Sequence, residues 1–300
     1  MRTEQEMFQL ILQVAANDER IRAVGMNGSR TNPNVPKDIF QDYDIVYLVT
    51  DMASLLTDHD WINVFGERII IQMPDATHNI AVDSIERFAY LMLFMDGNRI
   101  DLTLIPIEKR YEYCEEDTLT TILLDKDNSM PSLPSPTDKD YHVKPPTEIE
   151  FLNCCNEFWW VSTYIAKGLW RREILYAFDH LNFYVRPMLL KMLSWQVGID
   201  TNFTISIGKN GKYLKSFLTN EQWKKLLCTY PDGNDENIWN SLFQMFQLFR
   251  STAQYVAGNF NFSYNFSEDK RVTDYVHYVQ KLGYENLNPA FLQVENNNNS

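Results

Sequence analysis

Residues 28–30 read Gly-Ser-Arg, and residues 40–49 read Phe-Gln-Asp-Tyr-Asp-Ile-Val-Tyr-Leu-Val. A short turn, reached through the apolar run that begins at Ile21, is therefore followed by two carboxylates at the start of a strand-like apolar run. In a strand, residues i and i+2 point to the same face, so Asp42 and Asp44 should stand side by side. Two like charges held this close are costly unless a cation lies between them. The stretch thus favours a strand that begins at a cation site.

The residue types in this stretch suit a metal ion and a phosphate group. Mg²⁺ takes oxygen ligands and is commonly bound by one or two carboxylates together with substrate phosphates. Gly28 would let the backbone approach a phosphate, and Ser29 can donate its hydroxyl hydrogen to one. The alternative is that Asp42 and Asp44 cap a strand and that the Gly-Ser pair is an ordinary turn. An Asp-X-Asp motif alone is a weak signal, but its combination with this turn and an apolar strand is a stronger one.

A third carboxylate lies in a second predicted strand. Residues 88–94 and 99–105 have the pattern of two strands, and the Asp96-Gly97 pair between them is a hairpin signal. Asp101 is a charged residue in an otherwise apolar strand, where burial is costly without a partner. If its strand lies beside the strand of Asp42 and Asp44, the three carboxylates converge. The alternative is an edge strand in which Asp101 faces water.

The wording of residues 28–33, Gly-Ser-Arg-Thr-Asn-Pro, and of residues 41–46, Gln-Asp-Tyr-Asp-Ile-Val, resembles the nucleotidyltransferase superfamily. It looks specifically like the aminoglycoside 6-adenylyltransferases, which are streptomycin-modifying enzymes, and the resemblance continues to the C-terminal helices. The resemblance implies transfer of AMP from ATP to a streptomycin hydroxyl, with Mg²⁺ as the cofactor and pyrophosphate as the second product. It also implies a contribution to antibiotic resistance.

The resemblance implies a role for each acidic residue. Asp42 and Asp44 are the expected metal ligands, and Asp101 is either a third ligand or the general base that takes the proton of the acceptor hydroxyl. The sequence leaves both roles of Asp101 open. The residues expected to bind the nucleotide are Gly28, Ser29, Arg30, which is otherwise a surface cation, and Lys212.

The second half of the chain is expected to complete both binding sites. The leaving pyrophosphate calls for a cation, and Lys212 is preferred among a cluster of lysines between residues 209 and 215, each of which is otherwise a surface lysine. The guanidinium groups of streptomycin call for carboxylates and aromatic walls. The alternative for these residues is a solvated or salt-bridged helix face. The residues expected to bind the acceptor are Asp179, Trp170 and Glu173.

The chain is predicted to be an α+β protein of two domains. Residues 1–146 form the nucleotidyltransferase domain, a mixed β-sheet flanked by helices, which includes a proline-rich connection at 125–146. Residues 147–300 form a C-terminal helical domain, and the active site is expected in the cleft between the two. In the first domain, residues 69–71, three isoleucines, are expected to be a buried run within a strand at 67–73.

Composition restricts the partners. The chain has 300 residues, a net charge of −13 and 45% hydrophobic residues. The negative charge argues against a nucleic-acid partner, because phosphate neutralisation needs a basic surface. It suits a cationic acceptor, although many proteins are simply acidic. No signal peptide or membrane span is recognisable, and the four cysteines lack zinc or disulfide spacing, so reduced thiols in a cytoplasmic protein are expected. Both a monomer and a dimer are compatible with the sequence.

Two rival functions stay open. In the first, the acceptor of the nucleotide is not streptomycin but a lincosamide, a different aminoglycoside or a protein side chain. In the second, the chain is a catalytically inactive nucleotide-binding module. The retention of Gly28, Ser29 and all three aspartates speaks against the inactive module.

Overall fold

The computed structural model describes residues 1–77 and 85–282. The chain divides into two compact units, Met1–Asp140 and Tyr141–Ser300. The division falls inside the proline-rich connection at 125–146. Near the end of this connection, Val143 is buried in the core of the second unit, and its N–H donates to the Ile205 carbonyl oxygen at 3.0 Å.

The first unit is built on one six-stranded sheet. Its strands are β1 (Ile21–Met26), β2 (Tyr43–Val49), β3 (Arg68–Gln72), β4 (Phe88–Phe94), β5 (Arg99–Pro106) and β6 (Thr121–Asp125). They follow one another across the sheet in the order β3-β4-β5-β2-β1-β6. β2 and β5 run parallel, and the other neighbouring pairs run antiparallel. The predicted mixed sheet is thereby confirmed.

Helices flank the sheet and make up the second unit. The first unit contains α1 (Glu4–Asn17), α2 (Met52–Thr57) and α3 (Arg110–Glu116). The second contains α4 (Glu148–Trp170), α5 (Ile174–His180), α6 (Arg186–Asp200), α7 (Leu214–Phe217), α8 (Asn220–Leu227), α9 (Asp235–Phe260) and α10 (Phe266–Lys281). A π-helical turn, Leu181–Val185, joins α5 to α6. The α+β class with a helical C-terminal region is confirmed.

The two faces of the sheet differ in what they bury. The larger core contains the inward-facing residues of β2 and β5, which are Tyr43, Ile45, Tyr47, Val49, Ile100, Leu102 and Leu104. The opposite face carries a smaller cluster that contains Val46, Leu48 and Tyr113 of α3. Because successive strand residues alternate between faces, Asp44 and Asp101 lie on this second face, at the end where both strands begin.

Helix α1 is fixed at its start and along its length. Thr3 and Glu6 form a reciprocal capping box, in which each side chain accepts a hydrogen bond from the other residue's backbone N–H. Met7 and Ile11 are buried in the larger core. The buried Tyr47 hydroxyl donates to the Ile11 carbonyl oxygen at 2.6 Å, which ties the helix to β2.

The predicted buried run at residues 69–71 is wrong for its first two members. The side chains of Ile69 and Ile70 are exposed, whereas Ile71 is partly buried against the core. The reason is the place of β3 at the edge of the sheet, paired with β4 alone. A local run of isoleucines indicates a strand but does not tell a central strand from an edge strand.

The second unit is held together by an aromatic core between its long helices. Phe158 of α4 stacks on Phe249 of α9, with ring centroids 3.7 Å apart, and Trp159 meets Phe246 edge to face at 5.0 Å. Such pairs add to the free energy of apolar burial. No helix within residues 1–77 and 85–282 has both the length and the apolar character needed to cross a membrane.

Candidate active site

The turn after β1 packs directly against Asp44. Residues Gly28–Arg30 form a single 3-10 turn, and the Asn27 N–H donates to the Asp44 carbonyl oxygen at 2.9 Å. Gly28 has φ +75°, and a Cβ atom there would lie 2.2 Å from Asp44 Oδ2. A glycine is therefore required both by the backbone conformation and by the neighbouring carboxylate.

Asn27 fixes this turn from the other side. Its side-chain amide donates to the Thr120 hydroxyl at 2.7 Å, and its side-chain oxygen accepts from the Tyr113 hydroxyl at 2.8 Å. Gln41 adds a longer bond of 3.3 Å from its side-chain amide to the Ser29 carbonyl oxygen. Asn27 and Tyr113 were not singled out in the sequence, because their partners are distant in the chain.

The three aspartates come from two neighbouring parallel strands. Asp42 immediately precedes β2, and Asp44 lies in register with Asp101 of β5. The expectation that the strand of Asp101 lies beside the strand of the other two is confirmed, and the alternative of an edge strand is wrong. Asp42 is partly exposed, whereas 20% of the Asp101 side chain is accessible.

Burial and like charges act together on Asp44. Desolvation of its carboxylate, then the negative charges of Asp101 and Asp42, raise the pKa of Asp44 to about 6. The guanidinium groups of Arg99 and Arg30 act in the opposite direction with smaller effect. A carboxylate in this state gains much from a cation placed beside it, because the cation offsets all three causes of the shift.

Arg99, the first residue of β5, already supplies one positive charge. Its Nε donates to Asp101 Oδ1 and its Nη2 to Asp101 Oδ2, both at 2.7 Å, and Nε lies 3.7 Å from Asp42 Oδ1. The sequence prediction missed this residue. The signal was available, because Arg99 and Asp101 stand two residues apart in a strand, as Asp42 and Asp44 do.

The donor set of the site consists of carboxylate oxygens, the ligands that hard cations such as Mg²⁺ prefer. Within residues 1–77 and 85–282, no three carboxylate, imidazole or thiol groups are already gathered closely enough to hold a metal ion. The placement of Arg99 bears on this, because both oxygens of Asp101 point to its guanidinium. The residues fit a divalent cation in their chemistry, provided that Arg99 releases an oxygen of Asp101.

Arg30 is placed among protein partners. Its Nε and Nη2 donate to the carbonyl oxygens of Asp42 and Gln41 at 3.0 and 2.8 Å, and Nη1 pairs with Glu4 at 3.2 Å. The guanidinium lies over the Tyr43 ring, 3.6 Å from its centroid, and only 8% of the side chain is accessible. Arg30 thus holds the segment that carries Asp42, and its predicted contact with phosphate stays a prediction.

The remaining predicted residues belong to the second unit. Lys212 is exposed next to the turn Lys209–Gly211, with its ammonium 5.0 Å from the centroid of the Tyr213 ring. Trp170, at the end of α4, donates from Nε1 to the Leu282 carbonyl oxygen at 3.1 Å. Glu173 precedes α5 and lies 3.9 Å from Arg171.

Asp179 is exposed on α5, a short helix that also carries Tyr176 and His180. The His180 ring lies 4.1 Å from the Tyr176 ring and 5.3 Å from the Tyr184 ring, measured between centroids. Both tyrosines are more than 40% exposed. Aromatic faces beside a carboxylate are suited to bind planar cations such as guanidinium.

The chain is similar to known proteins over most of its length. Residues 1–279 match the family model described as streptomycin adenylyltransferase. The aminoglycoside 6-adenylyltransferase of Campylobacter jejuni is 44% identical over 289 residues, which are 96% of this chain and 100% of that protein. The protein of the same name from Bacillus subtilis (strain 168) is 45% identical over 276 residues, 92% and 97% of the two chains.

A third relative and a solved structure carry the same description. The aminoglycoside 6-adenylyltransferase of Staphylococcus aureus is 38% identical over 289 residues, 95% of this chain and 100% of that protein. A crystal structure of an aminoglycoside 6-adenyltransferase from Bacillus subtilis is 40% identical, covers 94% of this chain and 100% of its own, and has a TM-score of 0.47.

Proposed function

Because the chain belongs to the streptomycin adenylyltransferase family and is therefore a nucleotidyltransferase, we propose that it transfers AMP from ATP to a hydroxyl group of streptomycin. Pyrophosphate is the second product, and modification of the antibiotic confers resistance in the cytoplasm. The observation that supports this most is the parallel pairing of β2 and β5, which sets Asp101 in register with Asp44 beside the Gly28 turn.

Asp42 and Asp44 are proposed to hold Mg²⁺, with Asp101 as the third ligand. The bound ion would neutralise phosphate charge and lower the pKa of the attacking hydroxyl. Phosphoryl-type transfer depends more on charge neutralisation and alignment than on covalent chemistry by the protein. The raised pKa of Asp44 supports this assignment, because burial and the negative charges of Asp101 and Asp42 disfavour its ionised form, which a bound cation would stabilise.

The general-base role of Asp101 is the alternative within the same site. Its register with Asp44 favours the ligand role, since neighbouring carboxylates of two parallel strands can meet one cation. In the alternative, Asp101 accepts the proton of the acceptor hydroxyl. The two roles differ in the affinity of Asp101→Asn for Mn²⁺, which falls in the first case and is retained in the second.

The triphosphate is proposed to lie against the Gly28 turn. Backbone N–H groups exposed where a side chain is absent, together with the Ser29 hydroxyl, suit phosphate oxygens. Arg30, the last residue of this turn, ties it to the segment before β2 through bonds to the Gln41 and Asp42 carbonyl oxygens. Lys212, an exposed lysine of the helical unit, is proposed to bind the leaving pyrophosphate.

Asp179, Glu173 and Trp170 are proposed to bind the acceptor. The exposed carboxylate of Asp179 lies on the same short helix as Tyr176 and His180, whose rings are 4.1 Å apart between centroids. Guanidinium groups bind both to carboxylates, through paired hydrogen bonds, and to aromatic faces. The helical unit therefore offers both kinds of partner that streptomycin calls for.

The test is Mg²⁺-dependent release of pyrophosphate from ATP, measured with streptomycin, kanamycin or spectinomycin as the acceptor. We expect release with streptomycin, and release with another acceptor alone would make that acceptor the substrate. No release with any acceptor would favour the inactive binding module. Asp42→Asn should abolish release without lowering the melting temperature, whereas Asp38→Asn, in the preceding exposed loop, should change neither.

A further inference from the structure

Arg99 connects two of the three proposed metal ligands. It binds both oxygens of Asp101 in a fork at 2.7 Å and lies 3.7 Å from Asp42 Oδ1. A fork of this kind is the strongest arrangement between a guanidinium and a carboxylate, because both hydrogen bonds are charge-assisted. Arg99 therefore occupies the side of Asp101 that a metal ion would require.

The side chain of Arg99 is freer to move than that of Asp101. Arg99 is the first residue of β5, directly after the hairpin turn, and 42% of its side chain is accessible. Asp101 is two residues further into the strand and 20% accessible. When this pair separates, the long and exposed arginine side chain can reorient, whereas the short aspartate side chain stays near the backbone of β5.

Arg30 cannot take over the charge that Arg99 supplies. Its three guanidinium nitrogens donate to the Asp42 and Gln41 carbonyl oxygens and to Glu4, and its side chain is almost fully covered. Arg99, by contrast, pairs with the carboxylates of Asp101 and Asp42 themselves. Like charges this close are costly without such a partner.

We propose that Arg99 is the counter-ion of the acidic cluster, releases Asp101 when the metal-bound nucleotide binds, and then donates to the nucleotide phosphates. The proposal rests on the proposed function, since it takes Asp101 as a metal ligand. A guanidinium is suited to both partners, because its planar donors match carboxylate and phosphate oxygens alike. Metal binding and nucleotide binding are thereby coupled through one side chain.

The first experiment measures Mn²⁺ affinity without nucleotide, by titration calorimetry, for the wild type, Arg99→Met, Asp101→Asn and the double variant. Removal of the competing guanidinium should tighten Mn²⁺ binding on the order of tenfold. When Asp101 is already replaced by Asn, Arg99→Met should change the Mn²⁺ affinity much less. Arg22→Met is the matched control. Arg22 makes a similar fork with Asp127 at the start of β1, the end of that strand away from the Gly28 turn, so this variant should leave Mn²⁺ binding unchanged.

The second experiment measures binding of Mg²⁺-ATP. Arg99→Met should bind the nucleotide more weakly than the wild type, while it binds Mn²⁺ alone more tightly. This opposite sign separates the proposal from a purely structural ion pair, whose loss would weaken both or neither. Arg99→Lys keeps the charge but loses the fork, so it should lie between the wild type and Arg99→Met in both measurements.

Three results would overturn the proposal. They are an Mn²⁺ affinity that does not rise in Arg99→Met, a rise of equal size with and without Asp101, and unchanged Mg²⁺-ATP binding in Arg99→Met. The second result would mean that the arginine acts only through its electric field. If the wild type still releases pyrophosphate in these cases, the proposed function stands without this role for Arg99, whereas failure of the wild type to release it refutes the proposed function.

Discussion

At position 28 the space for a side chain is already filled by the Asp44 carboxylate. Gly28→Ala would bring a methyl group to within 2.2 Å of Oδ2, at a residue whose φ is +75°. We expect a loss of stability of about 1–2 kcal/mol from the backbone alone and a fall of kcat/KM by at least about a hundredfold, because a displacement near 1 Å at reacting groups has effects of this order. Urea unfolding and initial rates check the two parts.

Gly97→Ala is the matched control for this substitution. Gly97 has a similar φ of +83°, and a Cβ atom there would meet only the flexible end of the Met1 side chain at 3.1 Å. The control should lose similar stability and keep its kcat/KM. Equal activity of the two alanine variants would mean that the shape of the Gly28 turn is not part of the site.

Because the pKa of Asp44 is raised, its ionised carboxylate lowers the stability of the metal-free protein above about pH 6. An uncharged side chain at this position would not have this effect. The native state holds the proton up to about pH 6, whereas the unfolded state loses it near 3.8, so this contribution to stability falls as pH rises between these values. Asp44→Asn should therefore be more stable than the wild type at pH 7.5, by at most about 3 kcal/mol. The advantage should shrink at pH 5.

Urea unfolding in the presence of a chelator checks this prediction, and Mg²⁺ provides an internal control. Added Mg²⁺ should stabilise the wild type more than Asp44→Asn, because ligand binding to the native state adds to stability. An asparagine variant that unfolds more easily than the wild type at both pH values would show that the Asp44 carboxylate is structural.

At the scale of the elements, the entry into β2 depends on Arg30. Its guanidinium binds two consecutive carbonyl oxygens, those of Gln41 and Asp42, and stacks on the Tyr43 ring. Lysine has neither the fork nor the flat face. Arg30→Lys should therefore lower kcat about tenfold, since loss of one or two such bonds is worth about 1.5 kcal/mol, and should lower the melting temperature slightly.

The same variant also tests the predicted contact of Arg30 with phosphate. In that case the KM for ATP rises while kcat and the melting temperature change little, since lysine retains the charge and the segment stays in place. Arg22→Lys, at the far end of β1, should change neither kcat nor the KM for ATP. Steady-state kinetics with ATP as the varied substrate, together with thermal unfolding, distinguish the two roles.

Local sequence patterns predict individual strands and turns better than they predict which strands pair with each other. The alternation around Asp44 and the Asp96-Gly97 pair are contained in short windows, and both the strand β2 and the hairpin between β4 and β5 follow from them. The exposure of Ile69 and Ile70 does not, because the position of β3 in the sheet is set by pairing with β4. A short window holds no information on which side of a strand remains unpaired.

At the scale of the whole molecule, the same limit applies to the site. The convergence of Asp44 and Asp101 was conditional on the pairing of two strands more than 50 residues apart, and the resemblance to a family supplied that step. Arg30 binds backbone carbonyls and Asn27 binds hydroxyl groups of distant residues. Such partners cannot be recognised from the type of residue in the sequence. Sequence reasoning therefore identifies charged groups and misses the polar groups that hold them.

The overall charge of −13 affects the two substrates in opposite ways. A negative protein attracts a cationic acceptor and repels anionic ATP, and salt screens both effects. When salt is raised from about 0.02 M to about 0.2 M, the KM for streptomycin should rise several-fold, while the KM for ATP should stay constant or fall. Initial rates with one substrate saturating and the other varied give both dependences.

Local and overall charge are separated by two variants that remove the same unit of charge. If Asp179 contacts the acceptor, Asp179→Asn should raise the KM for streptomycin at every salt concentration and weaken its salt dependence. Glu236→Gln, at the exposed start of α9, should alter the salt dependence only slightly, because Glu236 is not among the residues proposed to contact the acceptor and its exposed charge is screened by salt. Identical behaviour of the two variants would mean that the acceptor responds to the overall field alone, and Asp179 would lose its place in the binding site.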